Sequence, residues 1–78
     1  MNEKIFRTVA DIIIDKNCLT EKEVTPEARF KEDLGMDSLD TTEMAMCTEN
    51  ALHITIKDGE YEDLKTVGDF VALVESKL

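Results

Sequence analysis

Glu32-Asp33-Leu34-Gly35-Met36-Asp37-Ser38-Leu39-Asp40 marks the point where an irregular stretch of the chain becomes helical. Gly35 punctuates the chain, and helical spacing begins two residues later. Asp37 is a strong N-cap residue. Asp40, three positions on, forms a capping box with an acid in place of Glu or Gln. From Asp37 to about Leu52 the apolar period is that of a helix. Met44, Cys47, Thr48, Ala51 and Leu52 fall on one side, which is assigned to the core. Leu39 and Met46, seven apart, share a different side, with Glu43 between them.

Toward the N-terminus, Ile5, Phe6, Val9, Ile12 and Ile13 recur at spacings of three and four, a second helix. Asn2 is its expected cap, with Glu3 in the first turn favouring the dipole. Ile12–Ile14 also suits a strand, but the preceding period and the polar Asp11 and Asp15 favour helix, ending near Asn17. Residues 18–36 then read as a long connection anchored by Leu19, Val24, Phe30 and Leu34. Pro26 after Thr25 opposes a helix through it. A loop of this length in a small domain is often functional.

Toward the C-terminus, Ile54 and Ile56 anchor a link that Asp58-Gly59 breaks. Residues 60–64 are expected to form one short turn with Tyr61 and Leu64 facing in. Thr66 then caps a last helix, with Asp69 three residues on, carrying Val67, Phe70, Val71, Val74 and Leu78 to near the C-terminus. The expectation is all-α: a small four-helix bundle with three main helices, one short one and an overhand loop after the first. At 78 residues there is no room for a second core, so residues 1–78 read as a single domain.

Composition narrows function. Lys+Arg is 9 and Asp+Glu is 18, for a net charge of -9. Nothing neutralises phosphates, so a nucleic-acid binder is excluded, and docking on anionic membranes is disfavoured. A hydrophobic content of 42% is too high for a disordered acidic tail. Two cysteines make no disulfide framework. No apolar run approaches membrane-span length and no signal peptide is evident, so the expected setting is the cytoplasm. The charge is uneven. Residues 1–31 and 65–78 are each neutral, whereas residues 32–64 hold ten acids and the single base Lys57. Concentrating the charge on one segment suggests a face that steers toward basic partners.

Three chemistries bear on these residues. Catalysis by the chain itself finds little support. His53 is the one histidine and reads as a surface residue at a helix end, while Cys18 and Cys47 read as small buried or half-buried residues without an activating neighbour. A calcium loop requires fixed ligand spacing that neither 32–43 nor 58–63 provides, so no metal ligand is assigned. The third is phosphate. Ser38 opens a helix after a glycine turn, where backbone N–H groups and the dipole favour a phosphate. Asp37 and Asp40 would repel a free anion, but a covalent link would hold a phosphodiester there. From the residues alone, Ser38 as a plain helix-start residue remains the alternative.

The nine-residue run quoted above strongly resembles the acyl carrier protein motif. The resemblance continues through Val24-Thr25-Pro26-Glu27-Ala28-Arg29-Phe30 before it, Thr41 through Met46 after it and Thr66-Val67 at the last helix, covering essentially the whole chain. It implies that Ser38 receives a 4'-phosphopantetheine arm from coenzyme A, attached by a separate phosphopantetheinyl transferase, typically with magnesium. The terminal thiol would carry acyl groups as thioesters, so the protein is a carrier and not an enzyme. It further implies that the helix after Ser38 is a recognition helix. Asp37, Asp40, Glu43 and Glu49 would meet basic residues of partner enzymes, and Leu39 and Met46 would supply apolar contact. For Glu49, plain solvation of an exposed helix competes. Met44, Ala45, Leu64 and Val71 would line a shelter for the acyl chain or simply pack the core.

Thr42 and Thr48 stand where that family usually has apolar residues, Cys47 where it has alanine, Asn50 where it has an acid and Lys57 where it has proline. Peptidyl carriers usually have Gly-Gly where this chain has Gly35-Met36, and D-alanyl carriers usually lack the Gly35 context and Asp40. The pattern favours a discrete carrier of the fatty-acid or polyketide type, expected to be a monomer. The competing readings are an acidic interaction module without the prosthetic group and a carrier for an amino acid such as D-alanine.

Overall fold

The computed structural model describes residues 1–78. The first helix, α1 (Glu3–Asn17), starts where the Asn2 side chain accepts the N–H groups of Lys4 and Ile5 at 2.9 and 3.2 Å. This satisfies two of the donors that every helix start leaves free. The three isoleucines are helical: Ile13 is buried with Ile5, Val9 and Ala10, while Ile12 and Ile14 flank that stripe half-buried. The helix ends with Cys18 in the left-handed region at φ 54°, its N–H bonded to the carbonyl of Ile14. That cap position projects Cys18 beyond the last turn, so it is exposed, correcting the expectation of a buried or half-buried thiol. Cys47 is half-buried.

Residues 18–37 contain no helix. Val24, Phe30 and Leu34 are buried as expected, Leu19 half so, and Ala28 and Met36 are two further buried anchors. The backbone of this stretch is stitched to the start of the last helix. Phe30 N–H donates to the Lys65 carbonyl, Val67 N–H to Ala28 and Gly68 N–H to Pro26, around an antiparallel bridge between Arg29 and Thr66. Gly68 is required by this approach, because a Cβ there would sit 2.9 Å from the Pro26 oxygen. Gly35 turns the chain at φ +65°, a conformation glycine adopts without steric cost.

Next comes α2 (Ser38–Leu52), whose buried residues are Met44, Ala45 and Thr48. Ala51, expected in the core, is exposed, because the buried stripe of α2 is turned toward Ala45, which the resemblance had placed inside, and away from Ala51. Thr48 tolerates complete burial because its hydroxyl donates to the Met44 carbonyl at 2.9 Å. The short helix α3 (Asp58–Tyr61) begins two residues earlier than expected. Asp58 and Gly59 lie inside it, since the Glu60 carboxylate caps the turn by accepting the Lys57 N–H at 2.9 Å. Tyr61 and Leu64 are half-buried against the core.

The last helix, α4 (Val67–Lys77), carries the Thr66–Asp69 capping box and buries Val67, Phe70, Val71 and Val74. Leu78, which continues its spacing, is exposed where the helix has ended. The fold is all-helical, with four helices and no strand. Helix α1 packs on α2 and α4, and α3 packs on α4. One apolar cluster of 16 buried residues joins α1, α2, α4 and the connection. Within it the Phe30 and Phe70 rings meet edge to face at 6.5 Å, a favoured aromatic geometry. No helix is long and apolar enough to cross a membrane.

Candidate functional site

Ser38 is the first residue of α2, and its surroundings are set by the cap before it. The Asp37 carboxylate accepts the Asp40 N–H at 3.0 Å, and the Asp40 carboxylate accepts the Asp37 N–H at 3.1 Å. The capping box is therefore complete without Ser38. Two threonines brace the same turn: the hydroxyls of Thr41 and Thr42 donate to the Ser38 carbonyl at 3.1 and 2.8 Å. Tyr61 donates its hydroxyl to Thr42 at 3.2 Å, tying α3 to this turn. The polar residue at position 42 thus serves the first turn of α2. The Ser38 side chain is exposed and takes part in none of these bonds.

Beside Ser38 lies an open groove of about 550 Å³, lined by Phe30, Lys31, Glu32, Met36, Asp37, Ser38, Thr41, Leu64 and Lys65. Its walls come from segments remote in sequence. The Phe30–Lys65 backbone bond, at 2.9 Å, lays residues 30–32 beside 64–65, and Met36 N–H donates to the Phe30 carbonyl at 2.8 Å. Phe30 and Met36 are buried beneath the groove, while Lys31, Glu32 and Lys65 are exposed around it. A second hollow, at Glu3, Lys4, Phe6, Arg7 and Thr8 of α1, holds none of the expected site residues.

The charges nearby divide into paired and unpaired groups. Arg29 and Asp33 form a bidentate pair at 3.1 and 3.2 Å, and the same carboxylate accepts the Arg29 N–H at 2.8 Å. These bonds hold the Asp33 carboxyl below the usual carboxylate range and raise the Arg29 guanidinium. Glu60 is likewise held low, first by its hydrogen bond from Lys77 and then by the Lys57 N–H. Neither Lys31 nor Lys65 has a carboxylate within ion-pairing distance.

Leu39, Glu43 and Met46 follow an i, i+4, i+7 spacing and share one outward stripe of α2. Leu39 is 65% exposed and Met46 57% exposed, high values for apolar side chains of a core-building helix. Asp37 and Asp40 stand at the N-terminal end of that stripe, joined in the capping box. Glu49 is apart from them: it is half-buried, and its carboxylate accepts the Ile56 N–H at 3.1 Å. The carboxylate of Glu49 thereby anchors the link after α2, a use that neither docking nor plain solvation anticipated. His53 is exposed at the other end of α2, about 22 Å along the helix from Ser38. Of the four residues expected to shelter an acyl chain, Leu64 lines the groove, whereas Met44, Ala45 and Val71 are closed within the core.

Of the groove residues, Leu64 is the one that the resemblance assigned to an acyl shelter, whereas Phe30, Lys31, Glu32, Met36, Thr41 and Lys65 carry no site role from sequence. The one signal for the two lysines is that they flank the acidic segment on either side. Spacing along the chain gives no indication that they meet.

The arrangement presents a free primary hydroxyl at a fixed helix start, an open groove beside it and an exposed acidic–apolar stripe running away from it. A family model described as the phosphopantetheine attachment site matches residues 7–74 of the chain.

Proposed function

The chain belongs to the phosphopantetheine-binding family, and on that premise we propose that it is a discrete acyl carrier protein whose attachment residue is Ser38. That family is defined by covalently attached 4'-phosphopantetheine, and its carrier domains are not themselves catalytic. The group supplies a thiol at the end of a flexible arm, on which acyl intermediates are held as thioesters. In this reading residues 1–78 form one acyl-carrier domain, a four-helix bundle with an overhand loop, acting as a monomer in the cytoplasm. A phosphopantetheinyl transferase loads it, and fatty-acid or polyketide-type enzymes receive its cargo.

One observation carries the assignment of Ser38. The plainer alternative was that this serine only starts the helix. In the structure Asp37 does the capping, in reciprocal bonds with Asp40, which leaves the Ser38 hydroxyl exposed and unengaged. A phosphodiester at that oxygen breaks no existing bond and stands at a helix N-terminus, where the dipole favours negative charge. The attachment step forms a bond between the serine oxygen and the phosphorus of coenzyme A, releases the nucleotide half and gives up the hydroxyl proton. The rigid turn braced by Thr41 and Thr42 supports the same reading, because it holds the oxygen at a fixed place for an incoming enzyme.

The outward stripe suits transient docking. Leu39 and Met46 offer a small apolar contact, and Asp37, Asp40 and Glu43 surround it with negative charge. Such a surface favours fast, guided encounter over tight binding. Glu49 is a weaker member of the face, since its carboxylate already serves Ile56.

The test is intact mass before and after incubation of the apo protein with coenzyme A, magnesium and a broad-specificity transferase. The expected result is a gain of one phosphopantetheinyl group, mapped to Ser38 by fragmentation. Ser38→Ala should abolish the gain while leaving the helical circular dichroism and melting unchanged. A gain on that variant, or none on folded apo wild type, would overturn the assignment.

A further inference from the structure

We propose that Lys31 and Lys65 form a two-lysine bracket that receives the phosphodiester of the arm on Ser38 and lays the arm into the groove over Phe30, Met36 and Leu64. This rests on the assignment of Ser38 made above.

Four observations carry it. Ser38 lines the groove together with both lysines, so an arm starting at its oxygen starts inside that space. The lysines lie 34 positions apart in sequence and share the groove only because the backbone bond from Phe30 to Lys65 and the bridge from Arg29 to Thr66 align their segments. Neither ammonium group is engaged by a carboxylate, whereas the nearby Arg29 is tied to Asp33. Finally, these are the bases that bound the acidic segment 32–64, so the groove is the place beside Ser38 where an anion meets positive charge and not only Asp37, Asp40 and Glu32.

The physics favours a populated but loose contact. An exposed ammonium–phosphate pair is weak between separate molecules. Here the covalent link holds the anion at high effective concentration, which turns weak pairing into a populated state. Phe30, Met36 and Leu64 then give the arm's apolar carbons a surface to rest on. Because the core beneath is closed, the arm lies along this surface. The lysines would release it readily when a partner with its own basic groups competes for the phosphodiester.

The experiment compares apo and loaded protein by proton–nitrogen NMR and nuclear Overhauser contacts, for wild type and for Lys31→Gln/Lys65→Gln. Loading is confirmed by intact mass in every sample. In loaded wild type we expect shifts of the Phe30, Lys31, Leu64 and Lys65 amides and contacts from the arm's methyl groups to Met36 and Leu64. In the loaded double variant those contacts should be lost, with the fold intact by the unchanged remaining amides. In wild type, about 1 M salt should weaken them, since screening at that strength acts over about 3 Å. A loaded wild type with arm signals as narrow as free pantetheine and no groove contacts would overturn the bracket alone. So would contacts that persist undiminished in the double variant. Failure to load at all, on folded apo wild type, would overturn the assignment of Ser38 and the bracket with it.

Discussion

Helices α2 and α4 begin alike and end up with different tasks. Each starts with a reciprocal capping box, Asp37 with Asp40 and Thr66 with Asp69. After the cap, α4 turns Val67, Phe70, Val71 and Val74 into the core. Helix α2 is longer, buries only Met44, Ala45 and Thr48, and leaves two large apolar side chains outside. Burial of apolar area is the main stabilising term in folding. One helix therefore serves chiefly to hold the fold together, and the other forgoes part of that stabilisation to keep a surface available. Identical local signals at the start of a helix do not reveal which task it has.

The comparison can be broken by substitution. Phe70→Ala should have the largest effect on stability, about 3–5 kcal/mol, because it empties the centre of the core and removes the edge-to-face partner of Phe30. Denaturant melts would show whether the domain still folds. If it melts within about 1 kcal/mol of wild type, α4 is not the stabilising helix described here. Removing the caps should cost each helix about 0.5–2 kcal/mol, measured as Thr66→Ala and Asp37→Ala. The two variants should differ in loading: Asp37→Ala is expected to slow modification of Ser38 because the turn loosens, and Thr66→Ala is not. Met46→Ala and Leu39→Ala should change stability by less than about 0.5 kcal/mol, as exposed positions do. They should nevertheless weaken transfer by partner enzymes, read as a rise in KM for the carrier.

The smallest expected effect is on pH dependence. The Asp33 and Glu60 carboxyls are held below the usual range by Arg29 and Lys77, respectively. A carboxyl with a lowered folded-state pKa stabilises the protein above its unfolded value, about pH 4, and loses that stabilisation as pH falls through the folded value. Asp33→Asn should therefore lower the melting temperature slightly at about pH 7, and the gap to wild type should narrow below about pH 4. The Asp33 carboxyl is exposed, so the gap should be small and shrink with salt. A gap that widens on acidification would contradict the assigned pairing.

Much of this architecture was legible from residue order. Asn2, Asp37 and Thr66 announced three helix starts through side-chain chemistry that acts within four residues, and all three caps are present. The outward stripe of Leu39, Glu43 and Met46 followed from helical period alone. Misreadings arose where position depended on packing. Ala51 has the spacing of a core residue, yet the packed face of α2 is turned toward Ala45 and leaves it exposed. Cys18, read as buried or half-buried, is exposed because it takes the left-handed cap position after α1. The start of α3 depended on Glu60 reaching back to Lys57.

The sequence by itself determined that the chain is helical, where its main helices begin, that its charge gathers in the middle segment and that Ser38 stands at a helix start. These follow from short-range forces, since caps, periodicity and local charge act between near neighbours. Only the folded structure decided that Glu49 anchors Ile56 and that Lys31 and Lys65 share a groove with Ser38. The groove depends on the connection between α1 and α2 folding back to bond with the start of α4, a contact between residues more than thirty apart, whose geometry arises when the common core closes.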